Sequence, residues 1–387
     1  DPEAAVKALN TCYTYLGNMD EQLYCEAMTD NAYTKQPNDA TQNIGNGSYS
    51  TADPYVKKVW DGRYTGIRMC NELLENIDRV PDLDPELKKR YIGEAKVLRA
   101  YNYYELYTKF GDVPYTTKVL SIKESMSIAR TAKATVIANV LADLDEVING
   151  NYLPTSYDAD NKGRITRWAA MAIKAKIYLF EGNWTQVKNI TSTIMTEGGF
   201  KLFGSYAGLS EIANEYNSEV ILDAQYRPTS REHQMMYVFL PPTLGGYSQL
   251  SPLQELVDSY IMLDGKTIKE TGTSFDESHP YANRDPRLKA TVMYTGNSYT
   301  LADGTEVVIN CEKGEGKDGY GVGSDCSATG YYIKKYWDNA YRATLYSGLN
   351  PILIRYADIL LMNAEALAEL GELDKTAWDA TCLLYTS

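Results

Sequence analysis

From Val56 the apolar side chains fall at Val56, Trp60, Tyr64, Ile67, Cys70, Leu74 and Ile77, a spacing of three and four that lays them along one face of a long helix. Pro81 and Pro85 interrupt it. A second run, about Pro85 to Phe110, carries Leu87, Tyr91, Ala95, Leu98, Asn102, Leu106 and Phe110 on one side and stops at Gly111 and Pro114. Two long helices with one-sided apolar faces and a short break between them fold back into a hairpin. The pattern repeats: about Lys133 to Asn149 (Val136, Val140, Leu144, Val147), then about Thr166 to Glu181, then a turn at Gly182-Asn183-Trp184 into a helix ending near Gly198.

Pairs of this length, with Ala169, Ala170, Ala172 and Ala175 on a second helix and Gly-Asn-Trp after it, resemble tetratricopeptide repeats. Such a pair cannot bury its own face alone, so stacking on neighbours is forced. The periodicity returns from Ile352 to Leu370, where Gly371 caps the helix, and Leu373 to Trp378 reads as its partner. Between the helical blocks, about 56–198 and 352–381, residues 200–350 change character. Short β-prone runs (Val220 to Leu222, Ala290 to Met293, Glu306 to Ile309, Tyr331 to Trp337) alternate with Gly, Pro, Asn and Asp. The fold class expected is therefore mainly α: tetratricopeptide-like hairpins carrying an irregular, loop-rich insertion with short strands, one domain over residues 1–381. The last six residues, Cys382 to Ser387, match what a sequencing adapter encodes in frame and are set apart from the fold.

Charge narrows the partners. Lys and Arg number 38 against 51 Asp and Glu, a net −13, and no basic stripe offers itself to phosphates, so nucleic acid is disfavoured and an uncharged partner fits better. No uninterrupted apolar stretch is long enough to span a bilayer; Pro351 to Leu370 comes nearest and contains Arg355, Asp358, Glu365 and Glu369. The phosphate loop is absent. Asp158 to Gly163 begins like a calcium loop, but Lys162 stands at its fifth position and Ala169 at its twelfth, where the bidentate Glu belongs. His233 and His279 are the only imidazoles, neither in a hydrolase context, and no CxxC marks a zinc site, so no metal and no cofactor are expected. Cys311 and Cys326 bracket a glycine-rich loop; a disulfide and two unrelated thiols both remain open. Tyr numbers 33 against 6 Phe. A phenol adds a hydroxyl to a flat apolar face and suits surfaces that are half wet and half stacked, as sugars and proteins require.

Four stretches carry a more specific likeness. Glu94 to Tyr101 followed by Phe110-Gly111-Asp112-Val113-Pro114; Gly163-Arg164-Ile165-Thr166 through Tyr178-Leu179-Phe180; Leu256 to Tyr260 with Asp264-Gly265-Lys266 and Asn283-Arg284-Asp285-Pro286-Arg287; and Ile354 to Ala366 all resemble blocks of the SusD/RagB family, in that family's order and over nearly the whole chain. The resemblance implies a helical fold of four tetratricopeptide-like pairs and a non-catalytic, surface-exposed glycan binder of Bacteroidetes. It also implies attachment to the outer membrane through a lipidated N-terminal Cys, and delivery of oligosaccharide to a SusC-like TonB-dependent porin. That Cys is missing before Asp1 and the last repeat stops short of the family's C-terminal region, so the anchor is inferred, and the apolar face of Ile359, Met362 and Leu370 is expected to lie exposed.

The resemblance also locates the ligand. Members place aromatic platforms and short polar groups in the loop before the first repeat helix, which here holds Tyr33, Asn43, Tyr49 and Tyr55, and in the insertion before the Leu256 block, which holds Arg227, His233, Gln234, Tyr237 and Tyr247. Trp60, Trp168, Trp184, Trp337 and Trp378 read as packing. Two other function classes stay open: a glycoside hydrolase, which needs only two carboxylates at a fixed separation, and a helical-repeat scaffold for protein partners.

Overall fold

A computed structural model describes residues 1–35, 40–373 and 375, with the backbone only for residue 40. The helix expected from Leu373 to Trp378 lies outside them but for Leu373 and Lys375. Trp378 and Cys382 to Ser387 lie outside them too.

The chain opens with α1 (Pro2–Tyr13), started by Asp1, whose carboxylate accepts from the Ala4 N–H. α2 (Met19–Tyr24), β1 (Ala32–Thr34) and α3 (Ala40–Gly45) follow. The first hairpin is α4 (Pro54–Asn76) and α5 (Pro85–Phe110). Both start the same way: Asp53 and Asp84 cap the helices, each followed by a proline whose missing N–H is no loss at the first turn. Gly111, at φ +67°, ends α5 in a conformation that side chains resist. After a single-turn α6 (Ile122–Ser127) come α7 (Lys133–Asn149), α8 (Arg167–Phe180) and α9 (Trp184–Glu197).

Beyond α9 the elements shrink to a few residues each: β2 (Val220–Asp223), α10 (Met235–Phe239), β3 (Leu250–Pro252), α11 (Gln254–Ser259), α12 (Pro286–Thr291), β4 (Val292–Met293), β5 (Ser298–Thr300), β6 (Glu306–Val308) and β7 (Tyr332–Ile333). β8 (Ile352–Arg355) then leads into α13 (Tyr356–Glu369). The strands pair antiparallel in twos: β1 with β3, β2 with β8, β4 with β7 and β5 with β6.

The expected mainly α architecture is present. Helices pack in succession, α4 on α5, α5 on α7, α7 on α8, α8 on α9, and α9 on α13, over one continuous apolar core. Three expectations need correction. The face of α5 given by Leu87, Tyr91, Ala95, Leu98, Asn102, Leu106 and Phe110 is too narrow: Val97, Ala100, Tyr103 and Tyr107 are buried as well, because α1, α4, α7 and α8 surround the helix. Ile352 to Arg355 is strand rather than helix, drawn into pairing with β2. Ile359 and Met362 are not exposed; they are 0% and 5% accessible because α13 lies against α9, with Asn363 donating to Thr191 Oγ1 at 2.9 Å, and Leu370 is half-buried. The insertion thus splits a helix pair, α9 before it and α13 after it.

Within residues 200–350 the core breaks into small clusters, and α2 and β1 join one of them through Met19, Leu23 and Ala32 packed with Met235, Phe239 and Leu250. Cys311 and Cys326 are free, buried thiols, the latter donating to the Lys317 carbonyl at 3.2 Å. Trp60, Trp168 and Trp184 belong to the helical core, and Trp337 packs edge-on against Tyr299 in the insertion.

Candidate functional site

The residues that carry the family likeness turn out to be latches. Glu94, fully buried on α5, accepts from the Tyr13 hydroxyl at 2.5 Å and from Arg164 Nη1 at 3.1 Å, joining α1, α5 and the loop before α8. Burial pushes its carboxyl up, against the pull of Arg164. Arg99 donates to Asn71 at 2.9 Å and to Asp143 at 2.6 Å, tying α4, α5 and α7. Arg284 donates to the carbonyls of Val257, Tyr260 and Pro280, so the Leu256 block and the Asn283 block hold each other. Arg355, at the end of β8, pairs with buried Glu219, just ahead of β2, at 2.6 Å. Each latch is a charge or guanidinium taken out of water and matched by several partners, the condition for burying it at all.

An exposed aromatic patch sits on the insertion. Tyr237 on α10 and Tyr247 meet edge to face with centroids 4.8 Å apart, and the Tyr247 N–H donates to the Tyr237 carbonyl at 3.2 Å. The loop between them is closed by Ser248 N–H to the Leu240 carbonyl and Gln249 N–H to that of Val238. Gly246 makes this closure possible: a Cβ there would stand 2.3 Å from the Leu240 carbonyl oxygen. The third ring is Tyr346, 42% exposed, which the sequence reading missed. It is brought in by the antiparallel bridge between His233 and Ser347, with N–H to carbonyl distances of 2.8 and 2.9 Å. A Cβ on Gly245 would stand 3.2 Å from Leu345, so the segment carrying Tyr346 lies against the loop carrying Tyr247; burial, then the Tyr237 and Tyr346 phenols, push the Tyr247 hydroxyl up. No periodicity announces Tyr346. The only cue is a tyrosine ahead of Ser347-Gly348 at the end of the insertion, and its position depends on a bridge spanning more than a hundred residues.

The other expected residues separate into groups. Arg227 and Gln234 are exposed beside the patch; the turn from Arg227 to Arg231 packs so tightly on Gly348 that a Cβ there would meet Pro228 N at 2.4 Å. His233 presents nothing to a ligand. It is 5% accessible, its Nε2 bonds the Leu349 carbonyl at 3.1 Å, Nδ1 accepts from Met235 N–H, and burial drives its pKa down to about 4, so the ring is neutral and structural. Tyr33 is 39% exposed on β1, opposite Ser251 on β3. Lys35 N–H donates to the Gln249 carbonyl and Gln249 N–H to that of Val238, which joins β1 to the helix bearing Tyr237.

Asn43 and Tyr55 are held at the start of α4. Both bond Asp53, through Asn43 Nδ2 at 3.3 Å and the Tyr55 N–H at 2.9 Å, and Tyr55 lines a cavity of about 240 Å³ with Glu21, Tyr24 and Lys58. Burial, then Cys25 and Glu21, push the Tyr55 phenol up to about 12. Tyr49, 54% exposed, lies on the loop between them in sequence. Among the described residues no cluster of three His, Cys, Asp or Glu is placed to hold a metal ion, and no helix is long and apolar enough to cross a membrane.

Comparison with known proteins bears on what this arrangement is. The model of the SusD family matches residues 210–381, and a second SusD-like model, described as starch-binding associating with outer membrane, matches residues 5–179. The chain belongs to the SusD/RagB family. SusD-like protein P25 of Formosa agariphila is 31% identical over 196 residues, which are 48% of this chain and 37% of that relative, so the match spans little more than a third of the relative's length. Among solved structures, a SusD-like carbohydrate binding protein of Bacteroides fragilis superposes with a TM-score of 0.86 at 24% identity over 97% of this chain and 75% of its own. Surface glycan-binding protein A of Bacteroides thetaiotaomicron, in complex with laminarihexaose, gives 0.73 at 17% identity over 99% and 82%. At these identities the likeness is one of SusD fold.

Proposed function

We propose that this SusD-family protein is a non-catalytic glycan binder that captures oligosaccharide at the cell surface and hands it to a SusC-like TonB-dependent transporter, held to the outer membrane by a lipid anchor. The observation that carries the reading is the patch of Tyr237, Tyr247 and Tyr346: three ring faces, two of them about 40% exposed, fixed by backbone bonds on a rigid frame. A pyranose offers apolar C–H faces and a rim of hydroxyls, and needs flat rings plus short polar groups and no reacting group. Tyr33, Arg227 and Gln234 supply the polar and aromatic rim; Asn43, Tyr49 and Tyr55, carried by the segment that leads into α4, are assigned a secondary role. His233 is left out because both ring nitrogens are already bonded. The names of the relatives, which include carbohydrate-binding and laminarihexaose-bound proteins, support the same direction.

Affinity electrophoresis in laminarin, run beside a reducing-sugar assay, tests it. Retardation without sugar release is expected, and Tyr237→Ala with Tyr247→Ala should weaken retention about tenfold, the equivalent of losing one good aromatic stacking contact. Release of sugar by the purified chain would turn the reading to a glycoside hydrolase. Indifference to every glycan, with a stable complex to a protein other than a porin, would turn it to a scaffold.

A further inference from the structure

A second cleft, lined largely by residues of the insertion, has a different chemistry. Three cavities, of about 50, 270 and 310 Å³, are each lined by Lys335. The Lys334 and Lys335 N–H groups both donate to the Thr291 carbonyl, and Tyr336 follows at φ +71°. An aromatic residue pays strain to sit in that left-handed region, and it does so where the chain turns to bury the Tyr336 ring while leaving the Lys335 side chain accessible to water.

At the smallest of the three cavities the charges do not balance. Arg355 lines it with Lys335, but Arg355 is neutralised by Glu219, whose second oxygen accepts from the Phe203 N–H. At that smallest cavity, two cations and one carboxylate leave one positive charge. Glu26 and Glu211 line the larger cavities and bond Asn31 at 2.7 Å and Asn214 at 3.2 Å. Among the described residues no carboxylate stands within ion-pair distance of the Lys335 ammonium, which lies 5.8 Å from the Tyr336 ring centroid. Tyr206 lines the 50 and 270 Å³ cavities, Tyr260 the latter, and the Arg355 guanidinium lies over the Tyr206 ring at 5.9 Å.

We infer that this cleft takes the acidic group of a sugar, a uronate carboxylate or a sulfate ester, with Lys335 as its counter-ion and Tyr206 and Tyr260 beside the ring. A small cavity for the anion that shares Tyr206, Lys335 and Tyr336 with a larger, tyrosine-lined one suits an acidic substituent carried on a pyranose. The net −13 of the chain does not forbid it, since exposed charges farther off than about 8–10 Å are largely screened at physiological salt. The inference rests on the glycan-binding reading and adds to it a charged class of ligand and a site remote in character from the tyrosine patch.

Isothermal titration of the whole chain with D-galacturonate, galactose sulfate, galactose and sodium sulfate, alongside laminarin, tests it. The acidic sugars should bind at least tenfold tighter than galactose, and Lys335→Met should weaken them about tenfold. Lys335→Arg should keep most of that affinity, and Lys123→Met on the exposed α6 should change nothing. Laminarin binding should be unaffected by Lys335→Met if the variant is folded, which also serves as its folding control. Laminarin bound but acidic sugars no better than galactose overturns this inference and leaves the glycan reading standing; neither bound overturns both. Sodium sulfate bound as tightly as galactose sulfate overturns recognition of the sugar.

Discussion

The helical frame and the insertion hold together by different means. In the frame, Leu98, Leu106, Leu144 and Ile177 are at most 0% accessible in one shared core, and the polar latches of Arg99 and Glu94 join helices already packed. In the insertion the clusters are small, and the work of fixing loops falls to single polar hubs. Arg284 gathers three carbonyls; Ser327 Oγ donates to the Tyr331 carbonyl and its own N–H donates to the Tyr332 hydroxyl; Asn350 reaches Asp223 and the Tyr226 N–H. Apolar burial is non-directional and tolerates variation in shape, whereas a hub fails when one donor is lost. The lesson is that the region presenting the tyrosines is stabilised by directional bonds, and so its surface can be irregular without being loose.

The largest effect should come from the frame. Leu98→Ala empties a fully buried site between helices and should lower unfolding free energy by about 2–5 kcal/mol, read from the midpoint of a denaturant titration. Arg284→Ala should lower it by about 2–3 kcal/mol, since buried carbonyls lose charge-assisted donors. Hydrogen exchange distinguishes the two: the Arg284 change should open 254–290 and leave α5 protected. Equal loss of protection in α5 would mean that frame and insertion unfold as one body, and the contrast drawn above would collapse.

Acidity sharpens the comparison at the seam between the regions. Asp223, on β2, is buried and pushed up to about 7, first by desolvation, against the pull of Gln225 and Asn350; Glu215 nearby is raised too, again by burial. A carboxyl whose folded pKa lies above its unfolded value near 3.8 holds its proton more tightly in the folded state. The contribution of Asp223 to stability should therefore be greatest below about pH 4, decline as pH rises from there to about 7, and level off above it. Asp223→Asn should flatten that stretch of the curve, measured as melting temperature against pH; an unchanged slope counts against the burial effect. The smallest change expected is at a helix start. Thr166→Ala removes the cap on the Ala169 N–H and should cost about 1 kcal/mol in the same denaturant titration. A larger loss would mean that the loop ahead of α8, which also holds Arg164, moves with it.

The sequence was most legible where burial repeats. α4, α5, α7, α8 and α9 fall close to where three-and-four spacing and the Pro, Thr, Asn and Gly breaks put them. α1 went unread because its buried positions Ala5, Leu9 and Cys12 are mostly small side chains, a weak signal over twelve residues. Strands of two to four residues are too short to show alternation, so β1, β3 and β5 were not seen and the Tyr331 to Trp337 run shrank to Tyr332–Ile333. At the site, Tyr237 and Tyr247 came from family likeness. Tyr346 and the burial of His233 follow from one long-range bridge, and nothing local in either segment encodes it.

The pairing of Asp223 with Ile352 joins the two ends of the loop-rich segment. A chain tied at its neck can grow or shrink by many residues for only a logarithmic entropic penalty, each doubling of length adding about 0.6 kcal/mol. The helices outside would register almost none of it. Such a neck makes the segment an exchangeable cassette, whose tips can be rewritten for a new ligand while the scaffold beneath keeps its shape.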